Sequence, residues 1–231
     1  MDKTDTNVAG DDSETGVSGN DVTVDLTTSN TGTTATTTTL RVTKDTAQSL
    51  NNAEKLTVKT DAAEVSFDSA ALRTIAAGAD NAVTITVEKT KDSEDSENIL
   101  ASYEVSVQAD SKDLLPNSST DNGEVTITVP LADLLGSGIS TENLTAWYVQ
   151  GGVFVKELKP ATAAEGYFAF TINHLSEIYI TEKGYTPAKV VASCIGSDNK
   201  IHYYDNLAEA IRNAVSDTTV KLENNTEFTS R

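Results

Sequence analysis

The chain has 231 residues, a formal charge of -18 and a pI near 4.3, and Thr alone supplies 34 of its positions. Because 17 cations face 35 anions, the charge balance argues against a basic groove for nucleic acid and against an anionic membrane surface. A single cysteine, Cys194, excludes an intrachain disulfide framework, and the two histidines leave too few ligands for a Cys/His zinc site. No apolar run approaches the roughly 18 residues that a membrane-spanning helix needs.

The chain begins with a polar segment. Residues 1–20 are rich in Asp, Thr, Gly and Ser, and their low apolar content predicts a disordered acidic linker. No apolar segment of a secretion signal follows Met1, and the sequence stops within what reads as a new strand. We therefore expect a piece of a longer exported protein whose signal and anchor lie elsewhere. The Thr-rich residues 27–39 predict a loop that runs into a strand, and a Thr-rich stalk is the alternative.

Residues 21–183 carry a regular series of strand signals. Apolar and polar side chains alternate with period two, and turn residues separate the runs. Gly151 and Gly152 lie between two such runs and predict a hairpin. The pattern predicts an antiparallel β-sandwich, immunoglobulin-like in the broad sense, with strands near residues 22–26, 40–42, 56–58, 65–67, 83–87, 103–107, 125–129, 144–149, 153–158, 168–172 and 178–180.

One helix and one strand end are marked within this series. Asp68 is a suitable N-cap for a helix over residues 69–77, with Gly78 at the C′ position, and this helix is expected to cover one end of the sandwich. Pro130 ends the strand before it, since proline has no N–H to donate. The acidic residues 89–98 predict a solvated loop, and they lack the mid-loop glycine of an EF-hand calcium site.

The pattern changes after residue 183. Gly and Pro in residues 184–187 indicate a linker. Residues 188–231 then predict strands at 189–192 and 201–204 and a last strand near residue 220. Between them a helix is predicted from about Leu207, because Leu207, Ile211, Ala214 and Val215 share one helical face. We interpret this strand–helix–strand piece as the start of a second domain.

Three segments carry a resemblance to a known class of module. Residues 123–130 (GEVTITVP), 144–149 (LTAWYV) and 170–176 (FTINHLS) resemble a β-sandwich module of large surface proteins of Gram-positive gut bacteria. Residues 65–68 (VSFD) resemble the strand that precedes the helix in that module. The resemblance covers about residues 50–182, and it implies a secreted or cell-wall location and a role in adhesion.

The tail resembles a different element of such proteins. Residues 203–211 (YYDNLAEAI) and 217–222 (DTTVKL) are similar to the opening of β-helix-like surface domains. Ser216 stands where that pattern usually has glycine. The resemblance implies that residues 188–231 form the first rung of a longer solenoid.

Candidate chemical groups are few. His174 and Ser176 share a strand face without an orienting third group, so we expect them to bond a neighbouring loop and fix the last strand rather than to form a catalytic pair. Lys59 and Lys156 lie on strands and are candidates for an isopeptide crosslink. Cys194 is expected to be buried. No catalytic residue, metal ligand or cofactor site is predicted.

Aromatic residues are concentrated at Trp147, Tyr148, Phe154 and Phe168. Since Trp147 and Tyr148 are consecutive on a strand, they face opposite sides, and one of them is expected to be partly exposed as a ligand-binding residue.

The sequence favours a non-enzymatic, monomeric binding module on the bacterial surface. Its expected partner is a host protein or glycan, such as immunoglobulin or a mucin-type glycoprotein, with no nucleic acid and no membrane insertion. The alternatives are a spacer without ligand and an accessory domain of a larger carbohydrate-active enzyme.

Overall fold

The computed structural model describes residues 6–8, 14–18, 20–27, 36–91, 99–116, 122–134, 140–150, 153–185, 190–197, 201–215 and 218–222. Within these ranges the chain is mostly β. The strands are β1 (Thr6–Val8), β2 (Glu14–Ser18), β3 (Asp21–Asp25), β4 (Thr37–Val42), β5 (Lys55–Lys59), β6 (Glu64–Asp68), β7 (Val83–Lys91), β8 (Ile99–Ala109), β9 (Lys112–Asp113), β10 (Val125–Pro130), β11 (Leu144–Gln150), β12 (Val153–Glu157), β13 (Lys159–Ala161), β14 (Tyr167–Ile172), β15 (Glu177–Glu182), β16 (Ala192–Ile195), β17 (Ile201–Tyr204) and β18 (Lys221–Leu222). The helices are α1 (Lys44–Ser49), α2 (Ser69–Gly78) and α3 (Leu207–Asn213).

Two large sheets account for fifteen of these strands. The first sheet has the order β1-β4-β7-β8-β15-β11-β12, with β9 paired to β8. The second has the order β13-β14-β10-β6-β5-β3-β2. The pairs β1–β4 and β3–β5 are parallel, and the other described pairs are antiparallel.

One hydrophobic core lies between the two sheets. On β10, Val125, Ile127 and Val129 are buried while the intervening threonines are half-exposed, as period-two alternation requires. Buried side chains of the first sheet, such as Tyr103 and Ile178, belong to the same cluster. The predicted β-sandwich is therefore confirmed, and the hairpin expected at residues 151–152 is formed by β11 and β12, although the two glycines lie outside the described residues.

Helix α2 begins at the predicted cap. The Asp68 carboxylate accepts a hydrogen bond of 2.7 Å from the Ala71 N–H, which satisfies one of the free donors of the first turn. Leu72, Ile75 and Ala76 are buried together, as their helical spacing predicts. The helix packs on α1, on the 3-10 turn Leu50–Asn52 and on β5 and β6.

The helix ends differently from the sequence prediction. Gly78 is its last residue and Ala79 is the C-cap, so Gly78 is not a C′ glycine. A Cβ at Gly78 would lie 2.8 Å from Cδ2 of the buried Leu114. Glycine is used here because Leu114 packs directly against the helix backbone.

Residues 1–20 contain two strands, which corrects the expectation of a disordered linker. β1 pairs with β4 at one edge of the first sheet, and β2 pairs with β3 at one edge of the second. Strand edges offer unpaired N–H and C=O groups, so a polar segment can join a sheet through its backbone alone. The sandwich therefore starts upstream of residue 21.

The tail forms a separate three-stranded sheet of order β17-β16-β18, with α3 packed against β16 and β17. Its first described strand begins at Ala192, and residue 189, where the predicted strand starts, lies outside the described residues. Val190, Ala192, Cys194 and Ala210 are buried, while Ile211 is 60% exposed. The described residues of the tail thus enclose only a small core of their own.

Candidate functional site

An aromatic cluster lies on the outer face of the first sheet. Trp147 on β11, Phe154 on β12, Tyr179 on β15 and Tyr185 after β15 are all half-exposed. Phe154 is central: its ring centroid lies 5.9 Å from Trp147, 5.4 Å from Tyr179 and 5.6 Å from Tyr185, each in an edge-to-face arrangement. These distances fall in the favourable range for aromatic pairs. We call these four residues the aromatic surface.

Strand register brings these rings together. Trp147 is directly opposite Tyr179 on β15, so the two side chains share a face of the sheet. The register between β11 and β12 shifts between Tyr148 and Val149, so Val149 pairs with Phe154 rather than with Val155. Such a β-bulge inserts one residue and turns the following side chain to the other face. The bulge therefore places Phe154 on the same face as Trp147.

Polar groups hold and flank the aromatic surface. The Trp147 indole N–H donates a hydrogen bond of 3.0 Å to Oγ1 of Thr181, which fixes the ring plane. Glu157 is the cross-strand neighbour of Trp147 and is exposed. Burial raises the pKa of Tyr179 to about 12, and a hydrogen bond to Glu177 and its charge add to the effect. The surface thus combines fixed rings with two carboxylates that can accept hydrogen bonds.

Tyr148 does not belong to this surface. As predicted, it faces the side opposite to Trp147, but it is only 3% exposed and belongs to the core. Its ring centroid lies 4.4 Å from that of His174 and 6.2 Å from that of Tyr203 in the tail, both in an edge-to-face arrangement. The expected ligand contact at Tyr148 is therefore replaced by a packing role, in which it joins the sandwich to the tail. Phe168 is likewise a core residue beside Phe170.

Among the described residues, His174 and Ser176 do not make the side-chain hydrogen bonds to a neighbouring loop that the sequence predicts. His174 Nδ1 lies 3.0 Å from Oδ1 of the adjacent Asn173, whereas His174 Nε2 and Ser176 Oγ are buried without a hydrogen-bond partner among the described residues. Backbone groups make the connection instead, because the Leu175 N–H donates to the Leu115 carbonyl over 3.1 Å. Burial, assisted by the charge of Lys156, lowers the pKa of His174 to about 4.

His174 and Ser176 also open into different cavities. His174 lines a cavity of about 520 Å³ with Lys156 and Glu157, and Ser176 lines one of about 230 Å³ with Glu104. This separation does not favour a nucleophile and base acting together. Pro130 is the last residue of β10 and precedes the 3-10 turn Leu131–Asp133, as the sequence predicts.

The isopeptide candidates do not meet the requirement for a buried lysine. Lys59 forms an ion pair of 3.6 Å with Glu64 at the surface, where its side chain is 43% exposed. Lys156 is also exposed. Neither lysine is enclosed with the catalytic acid that such a crosslink needs. Cys194 is a free, buried thiol, as predicted.

The described residues hold neither a cluster of metal ligands nor a membrane-spanning helix. Among the described residues, no group of three or more His, Cys, Asp or Glu side chains could hold a metal ion. No helix in the described part of the chain has the length and apolarity to cross a bilayer. Comparison of the chain with protein-family models, with curated proteins and with solved structures found no match.

Proposed function

We propose that this chain is a non-catalytic module of the bacterial cell surface that binds a host glycan or glycoprotein through the aromatic surface. The observation that carries the proposal is the group of four half-exposed rings, Trp147, Phe154, Tyr179 and Tyr185, on one end of a sheet face. The resemblance of residues 50–182 to surface modules of Gram-positive bacteria supports the same location and role.

The chemistry of the aromatic surface suits a sugar. A pyranose ring has an apolar C–H face that can pack on an aromatic ring, and hydroxyl groups at its rim. Glu157 and Glu177 lie beside the rings and can accept hydrogen bonds from those hydroxyls. Since three of the rings lie on paired strands and the Trp147 N–H is already bonded, little conformational freedom is lost on binding.

The charge of the chain predicts which glycans bind. A net charge of -18 repels anionic ligands at low ionic strength. We therefore expect neutral glycans to bind more tightly than sialylated or sulfated ones, with the difference shrinking as salt is added.

A glycan array probed with the full chain tests the proposal. Trp147→Ala and Tyr185→Ser should each weaken binding at least ten-fold, because each removes an aromatic contact. Tyr167→Ala is the matched control, since Tyr167 is an equally large ring, 44% exposed, on the second sheet. Circular dichroism of each variant shows that the fold is retained.

Each result has a clear meaning. Loss of binding in both surface variants but not in the control supports the proposal. Equal binding by all three variants would place the contact elsewhere and overturn it. If no glycan or glycoprotein is retained, a spacer without ligand becomes the better interpretation. The outer face of the second sheet favours a spacer, because it carries charged and hydroxyl side chains such as Lys55, Thr57 and Lys59.

A further inference from the structure

We propose that a cavity between the two sheets binds a long-chain carboxylate of the fatty-acid class, independently of the aromatic surface. The cavity has a volume of about 640 Å³, which lies within the usual range of small-molecule sites, about 300–1,000 Å³. It lies between β3 of the second sheet and β4 and β7 of the first, whereas the aromatic surface lies on β15, β11 and β12.

The floor of the cavity is aliphatic. It is formed by buried side chains from both sheets and from the elements that close the end of the sandwich: Val24, Leu40, Leu50, Leu56, Ile75, Val83 and Ile85. Protein interiors are normally packed without voids larger than a water molecule. A water-filled void needs two to four polar partners for each water, and this floor offers none. An apolar occupant satisfies such a lining better than water does.

The rim of the cavity has the opposite chemistry. Thr43, Lys44 and Thr46 are exposed and line its entrance. Arg41 also borders the cavity, but it lies between Leu40 and Val42 on β4 and pairs with Thr84, so its side chain extends from the opposite face of the sheet. No Asp or Glu occurs among the described lining residues, although the chain holds 35 acidic residues and only 17 basic ones. Lys44 forms no salt bridge with a described residue.

The combination of floor and rim selects one class of ligand. An aliphatic floor accepts an alkyl chain, and the Lys44 ammonium at the entrance, which has no ion-pair partner among the described residues, attracts a carboxylate. A peptide strand would need backbone partners that this floor does not provide. A fatty acid meets both requirements, with the chain between the sheets and the carboxylate beside Lys44.

Calorimetric titration of the full chain with dodecanoate, below its micellar concentration, tests the proposal. We expect saturable binding of one molecule per chain. Decanoate should bind about fifteen-fold more weakly, because two fewer methylenes are buried at about four-fold each. Dodecanol should bind about ten-fold more weakly than dodecanoate, because it lacks the charge.

Two sets of variants separate chain recognition from charge recognition. Lys44→Gln should weaken dodecanoate binding about ten-fold and leave dodecanol binding unchanged. Arg73→Gln is the matched control, since Arg73 is exposed on α2 outside the cavity lining. Val42→Phe at the rim should weaken both ligands by filling the entrance.

Methyl NMR locates the bound chain. Dodecanoate should shift the methyl resonances of Leu40, Leu56 and Ile85. It should leave those of Ile180 unchanged, because Ile180 lies on β15, outside the cavity lining. The proposal is overturned if no saturable binding occurs, if dodecanol and dodecanoate bind equally, or if the shifts centre on other residues. None of these outcomes bears on the glycan proposal, because the tested residues lie outside the aromatic surface.

Discussion

Gly123, in the loop before β10, packs against the first turn of α2. Its φ angle is +79°, in the left-handed region, and a Cβ there would lie 2.1 Å from the Ala71 nitrogen and 2.6 Å from Oδ1 of Asp68. Gly123→Ala should therefore lower the free energy of unfolding by about 3 kcal/mol, since it strains the backbone and displaces the helix cap. Urea unfolding measures this change.

Gly166→Ala is the matched control. Gly166 also has a positive φ, +86°, but no atom lies within 4 Å of its Cβ position. The substitution should cost only about 1 kcal/mol of backbone strain. Equal losses in the two variants would mean that the contact with the helix cap contributes nothing.

His174 makes the stability of the fold depend on pH. Its folded-state pKa of about 4 lies below the ordinary 6.5, because burial disfavours the charged ring. The contribution is fully present above pH 6.5 and is lost as the pH falls towards 4, since the unfolded chain binds the proton more readily. His174→Gln should reduce the loss of stability between pH 7 and pH 4 by about 2 kcal/mol, after allowance for the partly exposed ring.

Chemical denaturation of both proteins at a series of pH values checks this expectation. Parallel pH profiles for the two proteins would show that the folded and unfolded states bind a proton at His174 equally well, and would contradict the argument.

At the scale of elements, a buried hydroxyl pair joins β5 to β6. Thr57 Oγ1 and Ser66 Oγ lie 3.0 Å apart, and both side chains are buried on the outer face of the second sheet. Thr57→Val or Ser66→Ala leaves the other hydroxyl without its partner, so each should cost about 1–2 kcal/mol. The double variant should cost less than the sum by about 0.5–1 kcal/mol.

A double-mutant cycle from thermal or urea unfolding measures this coupling. Arg41→Gln combined with either substitution serves as a distant control, because Arg41 lies on the first sheet and should show additive effects. A strictly additive Thr57 and Ser66 pair would show that the two hydroxyls do not interact in solution.

At the scale of the whole molecule, the tail is a small unit attached to a large one. The tail contacts the sandwich where Tyr203 meets Tyr148 and where β17 approaches β12. A chain ending at residue 185 should keep a cooperative transition and lose about 1 kcal/mol, the usual value of one aromatic pair. Residues 190–231 alone should show no cooperative transition, since so small a core cannot offset the entropy of folding.

Tyr203→Ala in the full chain provides the comparison. It should cost the sandwich the same free energy as the truncation does, because it removes the same ring contact. A truncated chain that fails to fold would show instead that the tail completes the sandwich core.

Alternation in the sequence was sufficient to predict the central strands, because each has one face in the core and one in solvent. β10 shows this with Val125, Ile127 and Val129 against Thr126 and Thr128. The edge strands β1 and β2 were missed because their backbone, rather than an apolar pattern, joins them to the sheets. Pairing partners that are distant in sequence leave no local signal.

The candidate site was predicted only in part. Alternation along the strand predicted that one of Trp147 and Tyr148 is partly exposed, but not which of the two. Phe154 joins Trp147 only because of the bulge opposite Val149, and Tyr185 lies beyond the end of β15. The cavity between the sheets depends on how two sheets face one another, which no stretch of sequence encodes locally.

The placement of two rare residues makes each part of the molecule separately observable. The chain has one tryptophan and one cysteine, and Trp147 lies in the sandwich while Cys194 is 3% exposed in the tail. Indole fluorescence therefore reports on one unit, and the rate at which a thiol reagent modifies Cys194 reports on opening of the other. The natural sequence, without any substitution, can therefore show whether the two units unfold together or one after the other.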